Sequence, residues 1–319
     1  MDITIPYYED NSRINNSIIG KFIKNGPMAV YDYLNGNSKN ESGPQLERGT
    51  MIHEYILQPE EFDKDYLLYN GETPKSSQQE AFCEHLLNTV EIEPQKAAVS
   101  AYKASYKTSG KSEENIVSEA VKLASTLKSY IDAKKSGKKL ISDYDIMLCH
   151  NANNGILTHK KAKLLLNDNT FKEYHEFHIN WEFDGILKCK SLLDCVKFDF
   201  DKKICQIIDL KTTTKLWHFE ESVEKYDYTR QLLFYKMAVM WYLKEELHEN
   251  VDEWSFESYI IAIDSTSKSG VRVFNMTNMC NDTCKLSNIL TDIAWHMSSK
   301  KWEHSRQYYE GDGLETLSN

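Results

Sequence analysis

No run of apolar residues in this chain reaches the roughly 18–20 needed to cross a bilayer. The longest, Leu232 to Leu243, is interrupted by Lys236, and a protein that does not span a membrane is expected. The first ten residues, MDITIPYYED, lack a cationic segment and an apolar one, so no secretory signal is expected and the cytoplasm is the default location. CxxC pairs are absent and the seven cysteines are odd in number. A disulfide framework is therefore not expected, and the thiols read as reduced, buried packing groups. A basic excess is also missing: the net charge is −10 and the pI about 5.5. That argues against coating a polyanion by bulk electrostatics, but not against an enzyme whose acidic site is local. GxxxxGK[ST], HExxH and GxSxG motifs are missing as well, which removes the P-loop, zincin and nucleophile-elbow chemistries. There is no repeat and no long low-complexity tract.

What remains is 319 residues, 41% hydrophobic, enough for one large domain or two ordinary ones with a full-sized core. Ile18, Ile19, Phe22 and Ile23 recur at helical spacing before a Gly26-Pro27 break, which predicts a short amphipathic helix and a turn. A second helix is expected over Met28 to Leu34. After the loop NGNSKNESGP comes another, QLERGTMIHEYIL, ended by Gln58-Pro59. Residues 76–137, rich in Ala, Lys, Ser and Glu, read as two or three helices. Near residue 175 the composition changes, and HINWEFDGILKCKSLLDCVKFDFDKKICQIIDLKTT predicts a three-stranded antiparallel meander turning at Asp184-Gly185 and Asp201-Lys202-Lys203. A helix from about Tyr226 to Glu249, the strands FESYIIAID and VRVFN, and a helix near 281–299 complete the chain.

The chemistry-bearing residues lie in the meander. Asp194 shares a strand face with Val196, Phe198 and Phe200, and a carboxylate at the end of an apolar row needs a reason. On the next strand Asp209 and Lys211 share one face while Ile204, Ile208 and Leu210 take the other. Two Asp and one Lys can thus converge at the ends of paired strands. Taken alone, Asp-x-Lys reads as an ordinary cross-strand ion pair at a sheet edge. Its company is what matters: Gln231 and Tyr235 lie one turn apart on the following helix, and Gly49 and His53 one turn apart on an early one.

In the order GxxxH, Asp, DxK and QxxxY, on helix, strand, strand and helix, these elements resemble the RecB-type branch of the PD-(D/E)xK nucleases. RGTMIHEYILQPEEFDKDY resembles more narrowly the signature of the RecE-like exonuclease (exonuclease VIII) family. The segment YYEDNSRINNSIIGKFIKNGPMAVYDYL is similar to that family's N-terminal portion. The resemblance covers about residues 6–275. Cys280 and Cys284 have no matching partners downstream, a departure from the iron–sulfur members of the superfamily. The resemblance implies an α/β fold with a mixed central sheet flanked by helices and a helical N-terminal half. It is read as a single nuclease domain over 1–319: a mainly helical part at 1–175, a catalytic sheet-and-helix core at 176–276 and a helical extension at 277–319. It further implies metal-dependent hydrolysis of DNA, as an exonuclease that resects double-stranded ends 5′ to 3′ for phage-type recombination. A ring-shaped oligomer, a single-strand annealing partner and a bacterial or phage-infected host cytoplasm go with that family. An endonuclease of the same superfamily, or a silent nucleic-acid- or partner-binding module, are the alternatives.

Physical chemistry supports the implied roles. Phosphodiester hydrolysis needs the scissile phosphate neutralised and a water activated, which a hard divalent cation held by carboxylates supplies. Asp194 and Asp209 are the expected anionic ligands, and the Leu210 carbonyl and His53 the neutral ones, for Mg²⁺ or Mn²⁺. Lys211 is expected to act on developing charge. Glu182, on the preceding strand, is a candidate further ligand or orienting group, with an exposed strand carboxylate as the competing reading. Gln231 and Tyr235 are expected to dock against the carboxylates or a phosphate, with helix packing as the alternative. Thr212, Thr213 and Arg230 are candidate phosphate contacts. Tyr7, Tyr8, Tyr308 and Tyr309 offer rings for base stacking. His175 and His178 read as a solvated pair before the meander.

Overall fold

A computed structural model describes residues 6–38, 43–90, 93–168, 170–266 and 268–315; part of the loop expected over 35–44 lies outside them. In chain order the helices and strands begin with α1 (Asn16–Asn25), α2 (Met28–Leu34), α3 (Pro44–Leu57), α4 (Pro59–Asp65) and β1 (Tyr66–Leu68). There follow α5 (Ser77–Asn88), α6 (Pro94–Ser105), α7 (Glu113–Lys134), β2 (Lys139–Ile141), α8 (Asp143–Thr158) and α9 (Lys160–Asn167). The long strands β3 (Lys172–Phe183), β4 (Leu187–Asp199) and β5 (Ile204–Thr213) come next, then α10 (Phe219–Tyr226), α11 (Tyr228–Trp241), β6 (Ser255–Asp264), β7 (Val271–Asn275), α12 (Cys284–Ser299) and α13 (Arg306–Glu310). Among the described residues no helix is long and apolar enough to cross a membrane.

The chain's own contacts divide it into two compact units: residues 1–57 with 151–319, and residues 58–150. This division cuts across the boundary at 175/176 that composition suggests. The smaller unit packs α5, α6 and α7 around Phe82, Ala98, Ala101, Tyr102, Ile116, Ala120, Leu127 and Ile131, and carries the short parallel pair β1–β2. Its long helix α7 opens on a Ser112 cap with Glu113 and Glu114 in the first turn, where carboxylates meet the positive end of the helix dipole.

The larger unit is built on a mixed five-stranded sheet in the order β3-β4-β5-β6-β7. The expected meander is there: β3 to β4 and β4 to β5 are antiparallel. Asp184 and Gly185, at φ 49° and 67°, turn the first hairpin, with the Ile186 N–H donating to Phe183 O at 3.0 Å. Positive φ at two successive positions is what a tight hairpin turn demands, and Asp-Gly meets it at low cost. At the second hairpin the Asp199 carboxylate accepts from the Lys202 N–H at 2.9 Å. The chain then crosses over through α10 and α11, so β6 pairs parallel to β5. The predicted long helix begins at Tyr228, after a separate α10: Asp227 sits at φ 51° and ends α10 while its side chain caps α11.

Helix α11 packs on β3, β4 and β5 through Leu232, Phe234, Tyr235, Ala238 and Val239, against Trp181, Leu193, Val196, Phe198, Cys205 and Ile207. The Trp181 and Phe234 rings meet at 5.0 Å. This core fixes α11 over the sheet, so the polar residues at its N-terminal end are held by packing in which one truncated aromatic costs about 3–5 kcal/mol. Six cysteines are buried as expected, whereas Cys284, at the first position of α12, is exposed.

Candidate active site

The β4–β5 ladder ends at Cys195 opposite Ile208. One step further the same register would oppose Asp194 and Asp209, but there the strands part. Instead of a backbone pair, the Asp194 carboxylate accepts from the Leu210 N–H at 2.7 Å. The pleat keeps Asp209 and Lys211 on the α11 side while Leu210 points away, and Asp209 is 1% exposed. The Lys211 ammonium lies 2.7 Å from Asp209 Oδ2 and 5.0 Å from the centre of the Tyr228 ring. On the other carboxylate oxygen, Gln231 Nε2 donates at 3.2 Å and also reaches Tyr235 Oη at 2.8 Å. The sequence-predicted Asp194, Asp209, Lys211, Gln231 and Tyr235 are therefore brought together.

His53 joins them. Helix α3 contacts β4 and β5, and its His53 Nδ1 is 3.7 Å from Asp194 Oδ2. Gly49, one turn earlier, makes the approach possible: a Cβ there would stand 3.0 Å from Thr212 Oγ1. The GxxxH spacing is thus explained by contact, the glycine letting the helix close on β5 and the histidine reaching the carboxylates one turn on.

Electrostatically the site is strained toward neutral carboxyls. Burial raises Asp194 and pushes Asp209 up to about 6, with Lys211 opposing both. Burial lowers His53 to about 4, helped by Lys211, so its imidazole is neutral at pH 7 and has a lone pair to give. For Lys211 burial works against the charge, but Asp209 and Asp194 more than offset it and its pKa is raised. The buried Asp209 Oδ2 meets the Lys211 ammonium at 2.7 Å, a contact that favours the charged form of both groups against burial. Two largely buried carboxylates beside a neutral imidazole are a donor set that fits a hard divalent cation. The ligand atoms of His53, Asp194 and Asp209 do not all lie within 4.8 Å of one another, so all three would bind one ion only after drawing closer together.

Glu182 is a correction. It is exposed and pairs in register with Lys188, six positions along β4 from Asp194, or roughly 20 Å at the strand rise. The acidic residue that β3 supplies is Glu176, whose own register position faces Asp194. Its φ of 44° interrupts the ladder. On either side of it the core-facing parity of β3 changes, from Tyr174 to Phe177 and Ile179. Burial first, then the charges of Asp194 and Glu54, push Glu176 up to about 7. Regular alternation hides this residue; the sequence clue was a mismatch between Tyr174 and Phe177, three apart and both apolar.

The phosphate-contact candidates part company. Arg230 is buried and committed: its guanidinium meets Asp227 at 3.0 Å and donates to Asn16 O at 2.8 Å and to the Asn16 side chain. It ties α1 to α11, and Gly20 leaves it room. Thr213 Oγ1 accepts from the Lys215 N–H at 3.0 Å. Thr212 and Thr213 line a cleft of about 400 Å³ with Arg48, Lys215 and Lys225. A larger one, about 820 Å³, runs from Lys211 past Tyr228 and Arg230 to Lys21, Lys24, Tyr7 and Tyr8. Tyr308 and Tyr309 belong elsewhere, with Tyr308 stacked on His304 at 3.9 Å and Tyr309 donating to Glu303. His178 holds Asn180 at 2.9 Å, while His175 is engaged with Leu57 O and Glu173.

No family model matches the chain, and no curated protein matches it significantly. Among solved structures, the crystal structure of a "putative exonuclease" from Eubacterium rectale superposes with a TM-score of 0.50 at 12% identity, covering 100% of this chain and 96% of that one. At that identity the likeness concerns the path of the backbone: the two chains share an α/β fold with a mixed sheet.

Proposed function

We propose that this protein is a metal-dependent deoxyribonuclease with a PD-(D/E)xK-type core. The observation that carries the reading is the convergence of Asp194, Asp209 and Lys211, with His53 and Gln231, where β4 and β5 part. A purely structural ion pair needs one carboxylate for one ammonium, and here two largely buried carboxylates, Asp194 and Asp209, act on the single Lys211. Asp194 and Asp209 are the anionic ligands, with His53 and the Leu210 carbonyl as neutral ones. A divalent cation such as Mg²⁺ or Mn²⁺ held by these residues would supply charge neutralisation at the scissile phosphate and activation of the attacking water.

The chain's own groups do the rest. Lys211 keeps its proton in the pair with Asp209, so it acts as a fixed positive charge on the oxygens that become more negative as water attacks phosphorus. Gln231, held by Tyr235, orients Asp209. Glu176, opposite Asp194, adds a carboxyl that takes up a proton near neutrality. The cleft of about 820 Å³, with cationic Lys21, Lys24 and Lys211 and the rings of Tyr7, Tyr8 and Tyr228, suits a strand of nucleic acid, whose phosphates meet ammonium groups and whose bases meet rings.

Within this reading the substrate is double-stranded DNA with an end, resected 5′ to 3′ in RecE-like fashion for phage-type recombination. A homo-oligomeric ring, a single-strand annealing partner and a cytoplasmic setting in a bacterium or phage-infected cell belong to the same proposal. The test compares linear and covalently closed duplex DNA with Mg²⁺, Mn²⁺ or EDTA. Loss of the linear form alone, with either ion and not with EDTA, is the expected result. Rapid nicking of the circle would replace the exonuclease with an endonuclease, and inertness toward both would leave a binding module.

A further inference from the structure

On the sheet face opposite Asp209, β3 and β4 place Glu173, His175, Cys195 and Lys197 in a cross-strand quartet, with Glu173 paired to Lys197 and His175 to Cys195. Glu173, His175 and Cys195 each present one ligand atom, and these atoms all lie within 4.8 Å of one another. We propose that Glu173, His175 and Cys195 form a second metal site, separate from the carboxylate centre, for a thiophilic divalent ion of the zinc class.

Three observations support the assignment. His175 Nδ1 lies 2.5 Å from Leu57 O; a carbonyl only accepts, so Nδ1 carries the proton and Nε2 is left as the metal-binding atom. That is the arrangement in which an imidazole serves as ligand, its far nitrogen fixed by an outer hydrogen bond. Nε2 in turn faces Glu173 Oε1. In a neutral imidazole so fixed, a lone pair would confront a carboxylate, a contact that requires a cation between them: a proton in the metal-free protein, a metal ion in the loaded one. Finally, the other oxygen of Glu173 is held by Lys197 at 2.7 Å, and Lys197 also donates to Leu165 O at 2.8 Å. With Lys197 fully buried and anchored this way, Oε1 is kept for the site.

The chemistry of the donors chooses the ion. Cys195 offers a buried sulfur, a donor that soft or borderline ions accept and Mg²⁺ does not. Tetrahedral N, O and S ligands around zinc sit roughly 3.3–3.8 Å apart, so a small closure of Cys195 and a small opening of the His175–Glu173 contact suffice. The side chains of His175 and Glu173 are 30% and 22% exposed, leaving a fourth position to water and an open path for the ion. Occupied, the site would bolt β3 to β4 one residue from both Glu176 and Asp194.

Cobalt(II) is the probe, because a thiolate ligand gives it an intense near-ultraviolet charge-transfer band that carboxylates and imidazoles do not. The metal-stripped full chain should bind one Co²⁺ with that band, and Zn²⁺ should displace it. Cys195→Ser should abolish the band, and His175→Gln, whose thiol is intact, should weaken Co²⁺ binding at least tenfold. Asp209→Asn should leave band and affinity as in the parent, which separates this site from the carboxylate centre. Circular dichroism reports folding of each variant. A band absent in the parent, or retained in folded Cys195→Ser, would overturn the assignment. Loss of the band in folded Asp209→Asn would also overturn it.

Discussion

Glu176 offers a test of the site's electrostatics that needs no substrate. Its carboxyl is raised from 4.5 to about 7 by burial and by the neighbouring carboxylates. An acid whose folded-state pKa lies above its unfolded one binds more protons folded than unfolded between the two values, so it lowers stability as pH rises through that window. Here the window is about pH 4.5 to 7. At 1.36 kcal/mol per pKa unit the full penalty is about 3 kcal/mol at pH 8, and less than about 1 kcal/mol at pH 5. Glu176→Gln keeps the shape and the backbone conformation while removing the charge. In EDTA the variant should therefore melt roughly 6–12 °C above the parent at pH 8, taking the 2–4 °C per kcal/mol of a unit of about 150–250 residues, and within a few degrees of it at pH 5. Saturating Mg²⁺ should narrow the gap at pH 8, because a cation at Asp194 and Asp209 repays the repulsion that Glu176 suffers. Thermal melts by circular dichroism at the two pH values suffice. An equal difference at both, or a parent more stable than the variant at pH 8, would refute the account of Glu176.

Lys211→Ala should retain Mg²⁺ and DNA binding yet lose cleavage by about 10²–10³, the scale for deleting one preorganised electrostatic group, in single-turnover assays. Because the pair is buried rather than exposed, its melting point in EDTA should also fall, and recover in part with Mg²⁺. Asp209→Asn should lose Mg²⁺ binding, read by calorimetry, and cleavage together; a folded variant that binds Mg²⁺ and cuts like the parent sinks the ligand assignment. His53→Ala should weaken Mn²⁺-supported turnover at least as much as Mg²⁺-supported turnover while the fold persists, and a variant that unfolds but cleaves normally in its folded fraction would make His53 a core residue instead. Gly49→Ala should lower activity despite a gain in helix propensity of about 1 kcal/mol, since its Cβ would press on Thr212 Oγ1 at 3.0 Å. Thr212→Ala in the same chain should restore it, and additive losses would refute the contact.

Much of this was legible in the sequence because local rules were obeyed. The Asp184-Gly185 turn, the alternation through Asp209 and Lys211 and the GxxxH and QxxxY spacings each translate into geometry, and the structure brings His53, Asp209, Lys211, Gln231 and Tyr235 together. What was not legible were the exceptions to periodicity. Glu176 is not marked by regular alternation, because a positive φ there resets the two-residue period of β3. Arg230 looked free because its partner Asn16 lies 214 residues away in sequence, and no local pattern encodes such a contact. The Glu173, His175 and Cys195 set was missed for the same reason: it exists across strands, and only the pairing register assembles it.

The larger unit is not continuous in sequence, since it is left at Leu57 and resumed at Asn151. Its hairpins β3–β4 and β4–β5 are local, but α1 and α3 must find them from far along the chain. Closing so long a loop is entropically slow but only weakly length-dependent, each doubling costing about 0.6 kcal/mol. We therefore expect pulse-labelled refolding to protect the amides of β3, β4 and β5 before those of α1 and α3; simultaneous protection would contradict this order. Such an order makes His53 among the last groups to arrive, so the chain would acquire its two aspartates early and its imidazole late. The intervening 58–150 segment, which supplies none of the clustered groups, could then change in length over evolution at little thermodynamic expense.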